Sequence, residues 1–352
     1  MPISIHVFGG TKGESVVLEF PDGSYGVVDC HTGASNDLEK NPVVQFLNER
    51  KIDQLDFVCL THPHDDHFSG IKQLFENFTV SQFWHFDAMS TDRLREFIKV
   101  RLKEDTASSK KTGRANNALK LAELWKYVLS REKSGDLITQ RLSLGQCCVP
   151  SEDSRGFTID AIGTSAAQSS RFEQKLKHAF DNQLKFDARM NHRDPNICSC
   201  GLLIIHGATR ILLGGDIETG GWSDLIAQRS YMAKGINYVK VAHHGSPNGY
   251  ADELWELHRE AVDITYKVLT PYKRFDLPKA KTIEHLERNG GRVFSAGNPY
   301  FDHEFVPTFV SSLKALRKKR IATRTPSRVS FTFDEHGKMT DHELINDAVQ
   351  IC

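Results

Sequence analysis

Short apolar runs separated by turn residues fill the first ninety positions. ISIHVF, SVVLEF and YGVVDC have the length and β-branched content of strands, and PDGS, Pro21 to Ser24, is a hairpin signal between the second and third. The spacing then changes. NPVVQFLNERKI reads as an amphipathic helix, LDFVCLT as a buried strand and SGIKQLFENF as the next helix. From about Thr91 to Glu132 the pattern is helical and charged, with the polar stretch TASSKKTGRANN as an exposed loop inside it. FTIDAIG returns to strand character, a polar helical stretch follows from about Arg171 to Met190, and three β elements come next: GLLIIHG, TRILLGGD and NYVKVAHHG. A helix DELWELH, a strand ITYKVLTP, a helix AKTIEHLERNG and a short strand RVFSAG complete the pattern. This alternation predicts one mixed α/β domain over residues 1–310 with a helical insertion at about 88–150, and no internal repeat. Residues 311–352 read as a basic C-terminal extension. Lys314 to Arg328 holds seven basic residues, most simply a solvated surface, and VSFTFDE supplies a last strand.

Composition narrows the function classes. The 352 residues carry 45 Lys and Arg against 45 Asp and Glu, so the chain lacks the overall positive charge of a nucleic-acid coat. A local basic patch or a cleft acting on nucleic acid remains open. No apolar run approaches the roughly 18 residues of a membrane span, and the N-terminus shows no secretory pattern. Seven cysteines, with none in C-x-x-C spacing, fit reduced thiols in a cytoplasmic protein.

The densest chemistry is in LTHPHDDHFSG, where His62 to His67 places three histidines and two aspartates in six positions after a buried strand. His62 and His67 are five apart, so a single helix would put them on different faces. As a loop the segment can curl around an ion, with His62 and His64 pointing one way and Asp66 and His67 reaching the other. Imidazole and carboxylate together suit zinc, manganese or iron. Core packing would leave several of these polar groups unsatisfied. Two later strands end in the same manner: RILLGGDIE delivers Asp216 and YVKVAHHGS delivers His243 and His244. Glycines beside these residues allow close backbone approach.

The pattern H-x-H-x-D-H at His62, His64, Asp66 and His67 resembles the signature of the metallo-β-lactamase superfamily. GTKGESVVLEFPDGSYGVVDC, LLGGDIE and VKVAHHGS are similar to stretches of the soluble hydrolase domains of ComEC-type DNA-uptake proteins, and the likeness runs over about residues 3 to 297. The resemblance implies a four-layer αββα sandwich with a metal site at one edge, holding one or two divalent ions, zinc or manganese. It implies His62 and His64 on a first ion, Asp66 and His67 on a second, Asp216 bridging and His243 completing the second. His244 would orient a neighbour or meet substrate, and the two histidines could exchange roles. The superfamily's third histidine of the first site has no counterpart. Asn196 and Ser199 stand in that region, with His192, Asp194 and the cysteines of CSC as alternatives. The branch's late histidine–proline pair is here Leu277–Pro278.

The implied function is a metal-dependent hydrolase that uses a metal-activated hydroxide, with Asp66, Asp216 and His244 as catalytic residues. Phosphodiesters are the favoured substrates and a nuclease acting on DNA or RNA the favoured form. Lys103, Lys110, Lys111 and Arg114 of the insertion, with the C-terminal basic run, could line a path for a polyanion. One alternative is a hydrolase of a small phosphoester or other small molecule beneath a lid. The other is a non-catalytic, metal-stabilised binding or regulatory module. No membrane partner is expected, and the sequence leaves oligomeric state open.

Overall fold

A computed structural model of the chain describes residues 1–9, 13–32, 41–87, 95, 98–99, 113–150, 155–181, 194–258, 262, 264–299 and 327–351. Lys103, Lys110, Lys111, His192 and the basic run up to residue 326 lie outside the described residues. Arg114 falls in the first turn of a helix.

The first sheet has eight strands. β1 (Ile3–Gly9), β2 (Ser15–Glu19) and β3 (Tyr25–Val28) form an antiparallel meander, and the turn at Asp22–Gly23 is where PDGS predicts it. β4 (Gln54–Leu60), β5 (Thr79–Phe86) and β6 (Ile138–Leu142) continue it in parallel. The second sheet repeats the plan. β7 (Cys147–Val149), β8 (Thr158–Ala161), β9 (Leu202–His206) and β10 (Thr209–Leu213) are antiparallel, and β11 (Tyr238–Lys240), β12 (Tyr266–Leu269) and β13 (Arg292–Ser295) follow in parallel. Eight helices pack around the sheets among the described residues: α1 (Pro42–Glu49), α2 (Asp65–Phe68), α3 (Ile71–Asn77), α4 (Gly113–Ser134), α5 (Ala166–Asp181), α6 (Thr219–Arg229), α7 (Asp252–His258) and α8 (Ala280–Arg288).

Strand period explains the layering. In β9, Leu202 and Ile204 join the cluster between the sheets, whereas Leu203 joins the cluster beneath α6, α7 and α8. Phe46 and Leu47 of α1, Leu74 of α3 and Trp125 of α4 cover the first sheet. The result is the expected mixed α/β sandwich of two sheets and flanking helices. Asn41 starts α1 by accepting from the backbone N–H groups of Val43 (3.0 Å) and Val44 (3.4 Å), with Pro42 following.

Two segments differ from the sequence reading. The described part of the C-terminal extension is built into the domain. β14 (Ser327–Phe333) pairs with β1, β15 (Met339–Ile345) pairs with β14, and β16 (Val349–Gln350) crosses to pair with β13. Phe331 explains the position of β14: it lies 5.6 Å from Tyr238 and 4.9 Å from Phe294, both on the opposite sheet. A partner that distant in sequence leaves no local periodicity to read. The helical insertion likewise ends in β6 and β7, an edge strand of each sheet. ITQRL is too polar to resemble a strand because its outer edge meets solvent.

The packing leaves His258 neutral. It is 1% exposed with neither ring nitrogen hydrogen-bonded, and burial, then the Lys267 charge, push its pKa down to about 3. The unfolded chain takes up a proton near pH 6.5 that the folded chain refuses. Its contribution to stability is therefore complete above that pH and is lost as pH falls toward the folded value. His258→Gln is expected to shrink the stability difference between pH 7 and pH 5 by about 2 kcal/mol in urea denaturation. An unchanged difference would show that this histidine has a protonatable environment.

Candidate metal centre

The candidate residues converge because parallel strands end at one edge. Asp29 follows β3, His62 to His67 follow β4, Asp216 follows β10, His243 and His244 follow β11, and Thr270 follows β12. The HPHDDH stretch divides in the middle. His62 lies in a bend, His64 is extended, and α2 begins at Asp65, so Asp66 and His67 project from a helical turn rather than a loop. Gly215, with φ of +50°, gives Asp216 its approach, since a Cβ there would lie 2.7 Å from the Cys200 carbonyl oxygen. The Asp216 N–H donates to Ser199 Oγ at 2.9 Å.

Two groups form around Asp216. In the first, His62 Nε2 lies 2.9 Å from His64 Nδ1 and 3.5 Å from Asp216 Oδ2. In the second, Asp66 Oδ2 lies 3.7 Å from His67 Nε2 and 3.2 Å from His244 Nε2. His67 Nε2 is 3.5 Å from Asp216 Oδ1. Asp216 thus turns one oxygen toward each group. His67 Nε2 and Asp216 Oδ1 are both buried without a hydrogen-bond partner, so the centre holds a nitrogen and an oxygen whose polar capacity is unmet. A donor set of imidazoles and carboxylates fits a divalent cation.

His243 and His244 are placed the opposite way from the order implied by the resemblance. His244, 1% exposed, is the one that meets Asp66 and His67. His243 is more open, its side chain 19% exposed and its Nε2 3.9 Å from Asp216 Oδ2. Asn196 Nδ2 approaches that nitrogen at 3.2 Å and also donates to Glu218 at 3.2 Å. The physical reason is backbone conformation. Both histidines adopt left-handed angles, φ of 52° and 54°, ahead of Gly245 at 75°, so the turn rolls the second ring inward. Asp65 is half-buried; burial, then the Asp66 charge, raise its pKa. His206 is occupied elsewhere, bonded to the carbonyls of Gly156 and Met1 at 2.7 and 2.9 Å.

Electrostatics organise the centre. Burial opposes ionisation of Asp216, but the surrounding His67, His243, His62 and His244 outweigh it and hold the carboxyl far below the usual range. Burial alone would lower His67, yet Asp29, Asp216 and Asp66 raise it well above the ordinary histidine value. For His62, burial and then the His67 charge outweigh Asp216 and push it well below.

The sequence reading overlooked the residues that aim these rings. His67 Nδ1 pairs with Asp29 Oδ2 at 2.7 Å, and Asp29 accepts from the Thr61 N–H and hydroxyl at 2.8 and 2.7 Å. His244 Nδ1 donates to the Thr270 carbonyl at 3.0 Å, and the Thr270 hydroxyl donates to Glu14 at 2.6 Å. Glu14 also receives Lys240 Nζ at 2.6 Å, with both side chains almost fully buried. Each arrangement ties Nδ1 and leaves Nε2 facing the centre. A signal existed for the second: Lys240 interrupts the buried run YVKVA, and a lysine there needs a buried partner.

Lys240→Met strands the Glu14 carboxylate and is expected to cost about 3–5 kcal/mol of folding stability. Adding Glu14→Gln should recover most of that, because the amide keeps an oxygen for Thr270 without the charge. Urea denaturation of the single and double variants checks it; equal losses in both would refute the ion-pair account.

The sequence model of the metallo-beta-lactamase superfamily matches residues 9–107, the segment containing Glu14, Asp29 and the HPHDDH stretch. No curated protein matches the chain. Among solved structures, it is similar to a diphosphatase from the PhnP family at 12% identity and a TM-score of 0.39, over 80% of this chain and 90% of that one. It is also similar to Zn(2+)-bound PqqB from Methylobacterium extorquens, at 9% identity and TM-score 0.42, over 82% and 97% of the two chains. Igni18, a metallo hydrolase from the archaeon Ignicoccus hospitalis, is similar at 11% and 0.39, over 82% and 94%. The family model thus covers residues 9–107, under a third of the chain, and the two-sheet sandwich is the fold that the resemblance in the sequence implies.

Proposed function

We propose that this chain is a metal-dependent phosphodiesterase of the ComEC-like branch, with a nuclease as its leading form. One observation carries the reading: Asp216 offers one oxygen to each of two His/Asp groups. A carboxylate shared in this way suits a pair of ions, and ion pairs are a recurrent device for in-line displacement at phosphorus. His62, His64 and Asp216 would hold a first zinc or manganese ion, and Asp66, His67, His244 and Asp216 a second. Bound ions would lower the pKa of a coordinated water from about 15.7 toward about 7 and withdraw charge from a phosphoryl oxygen.

The chain's own residues do the positioning. Asp29 and the Thr270 carbonyl hold His67 and His244 with Nε2 inward. His243, less deeply buried than His62, His67 and His244, stands beside Asn196 and Glu218 where a substrate would enter. This exchanges the roles that the resemblance implies for the two adjacent histidines. No described helix is long and apolar enough to cross a membrane, and DNA or RNA is proposed as substrate without one.

The wild type and Asp216→Asn are to be compared on closed-circular and single-stranded DNA and on bis(4-nitrophenyl) phosphate, with manganese and then zinc. The expected result is hydrolysis by the wild type, reduced on the order of a hundredfold or more by the substitution. Cleavage of the small diester alone would favour a small-molecule substrate. Metal-loaded wild type that cleaves none of them would overturn the phosphodiesterase reading.

A further inference from the structure

Between β12 and α8 the chain makes a compact projection beside the centre. Its base is a bridge, with the Tyr272 N–H donating to the Leu277 carbonyl at 2.9 Å and the Leu277 N–H donating back at 3.2 Å. Two internal turns brace the tip: the Phe275 N–H reaches the Tyr272 carbonyl at 3.3 Å and the Asp276 N–H reaches the Lys273 carbonyl at 3.2 Å. Lys279 Nζ adds a bond to the Phe275 carbonyl at 3.0 Å. Leu277 is buried, and Pro278 packs so closely on the histidine turn that a Cβ on Gly245 would come within 2.8 Å of it. The projection is therefore a braced finger seated on the same turn that places His243 and His244.

Its rings make a stair from the centre to solvent. Tyr272 stacks on His244 with centroids 4.9 Å apart and planes 22° apart, and Phe275 follows at 5.4 Å from Tyr272. Exposure rises along the series, from 1% for His244 to 7% for Tyr272 and 41% for Phe275. Two exposed cations share the tip, Lys273 and Arg274. The Arg274 guanidinium lies 5.3 Å from the centre of the Phe275 ring, and its side chain hydrogen-bonds Tyr272. Its charge also reaches Asp65 at the edge of the centre. Asp276, also exposed, follows Phe275 and is paired with Lys279 Nζ at 3.3 Å, which leaves Lys273 and Arg274 as the cations beside the ring. Packing alone does not ask for a large aromatic ring at such an exposed tip. An aromatic face next to basic groups is the pairing that single-stranded nucleic acids use, since each base offers a π-face and each linkage a negative charge. A duplex buries its base faces and could not use the Phe275 ring.

We propose that this finger grips a single nucleic-acid strand beside the His/Asp centre, with a base stacked on Phe275 and the adjoining phosphates on Arg274 and Lys273. The inference rests on the phosphodiesterase reading and specifies its substrate. The strand would run over the finger so that the next linkage inward lies past Tyr272, above His244.

Binding is the direct test, read on the full chain in chelator so that hydrolysis does not deplete the strand. Fluorescence anisotropy compares a labelled oligothymidylate with an abasic strand of equal length and with a duplex. Phe275→Ala should weaken oligothymidylate binding roughly 5- to 100-fold and change abasic binding little, with Phe275→Trp restoring affinity. Arg274→Ala should weaken both strands and flatten the salt dependence. Equal affinities of wild type and Phe275→Ala for oligothymidylate, no binding by the wild type, or preference for duplex would each overturn the proposal. The reading beneath it is decided separately, by wild-type hydrolysis of bis(4-nitrophenyl) phosphate. Diester hydrolysis by the wild type with unchanged oligothymidylate affinity in Phe275→Ala removes the finger and keeps the phosphodiesterase. Strand binding with no ester hydrolysed does the reverse.

Discussion

Among the described residues four carboxylates lie buried at the edge where the two sheets meet, Glu14, Asp29, Asp66 and Asp216, and Lys240 is buried against Glu14. Taking so much negative charge out of water is costly unless each group is paired and hydrogen-bonded. Glu14 has Lys240 and Thr270, Asp29 has Thr61 and His67, Asp66 has His244, and the Asp216 carboxylate has the rings of His62 and His67, each at 3.5 Å. The remaining compensation must come from positive charge at the inward ring nitrogens, whether protons or divalent cations. Since the groups come from both sheets, this compensation exists only when the sandwich is assembled. The centre and the fold are therefore one electrostatic problem.

That constraint accounts for the unusual backbone at the histidine turn. Two successive non-glycine residues in the left-handed region cost free energy, on the order of 1–3 kcal/mol each. They are held by bonds on every side: the His243 N–H donates to the Gly215 carbonyl at 2.9 Å, and the His244 ring is fixed by Thr270 and Asp66. Straightening the turn would withdraw His244 from Asp66 and leave that carboxylate without its partner. The strain persists because the charges around it require the inward ring.

The same physics decides what could be read from the amino-acid sequence. HPHDDH, GGD and HHG after apolar strands are local features, and local features carry their meaning in a few residues. Buried parallel strands ending at one edge then bring His62, His64, Asp66, His67, Asp216 and His244 together without further information. The choice between His243 and His244 was not legible, because two adjacent residues in an irregular turn have no period to show which points inward. VSFTFDE was legible as a strand but its place in the sheet was not: Ile3 pairs with Phe333, and nothing near either residue announces the other. Lys240 stood in plain view, but its partner Glu14 lies just before β2, more than two hundred positions earlier.

The turn at His243 to Gly245 also gives the mouth two unlike walls. On one side His243 stands with Asn196 and the carboxylate of Glu218. On the other, Tyr272 stacks on His244 and carries the exposed Lys273, Arg274 and Phe275 outward. A polyanion approaching an acidic centre is repelled until it meets compensating charge, so the basic wall is where its first favourable contact lies. The acidic wall then discourages it from spreading across the opposite side. Because His243 and His244 share one braced turn, the two walls are joined there by the same bonds that aim His244. On the proposed reading, a substrate seated on the finger would thereby be held in fixed register with the ring nitrogens of the centre.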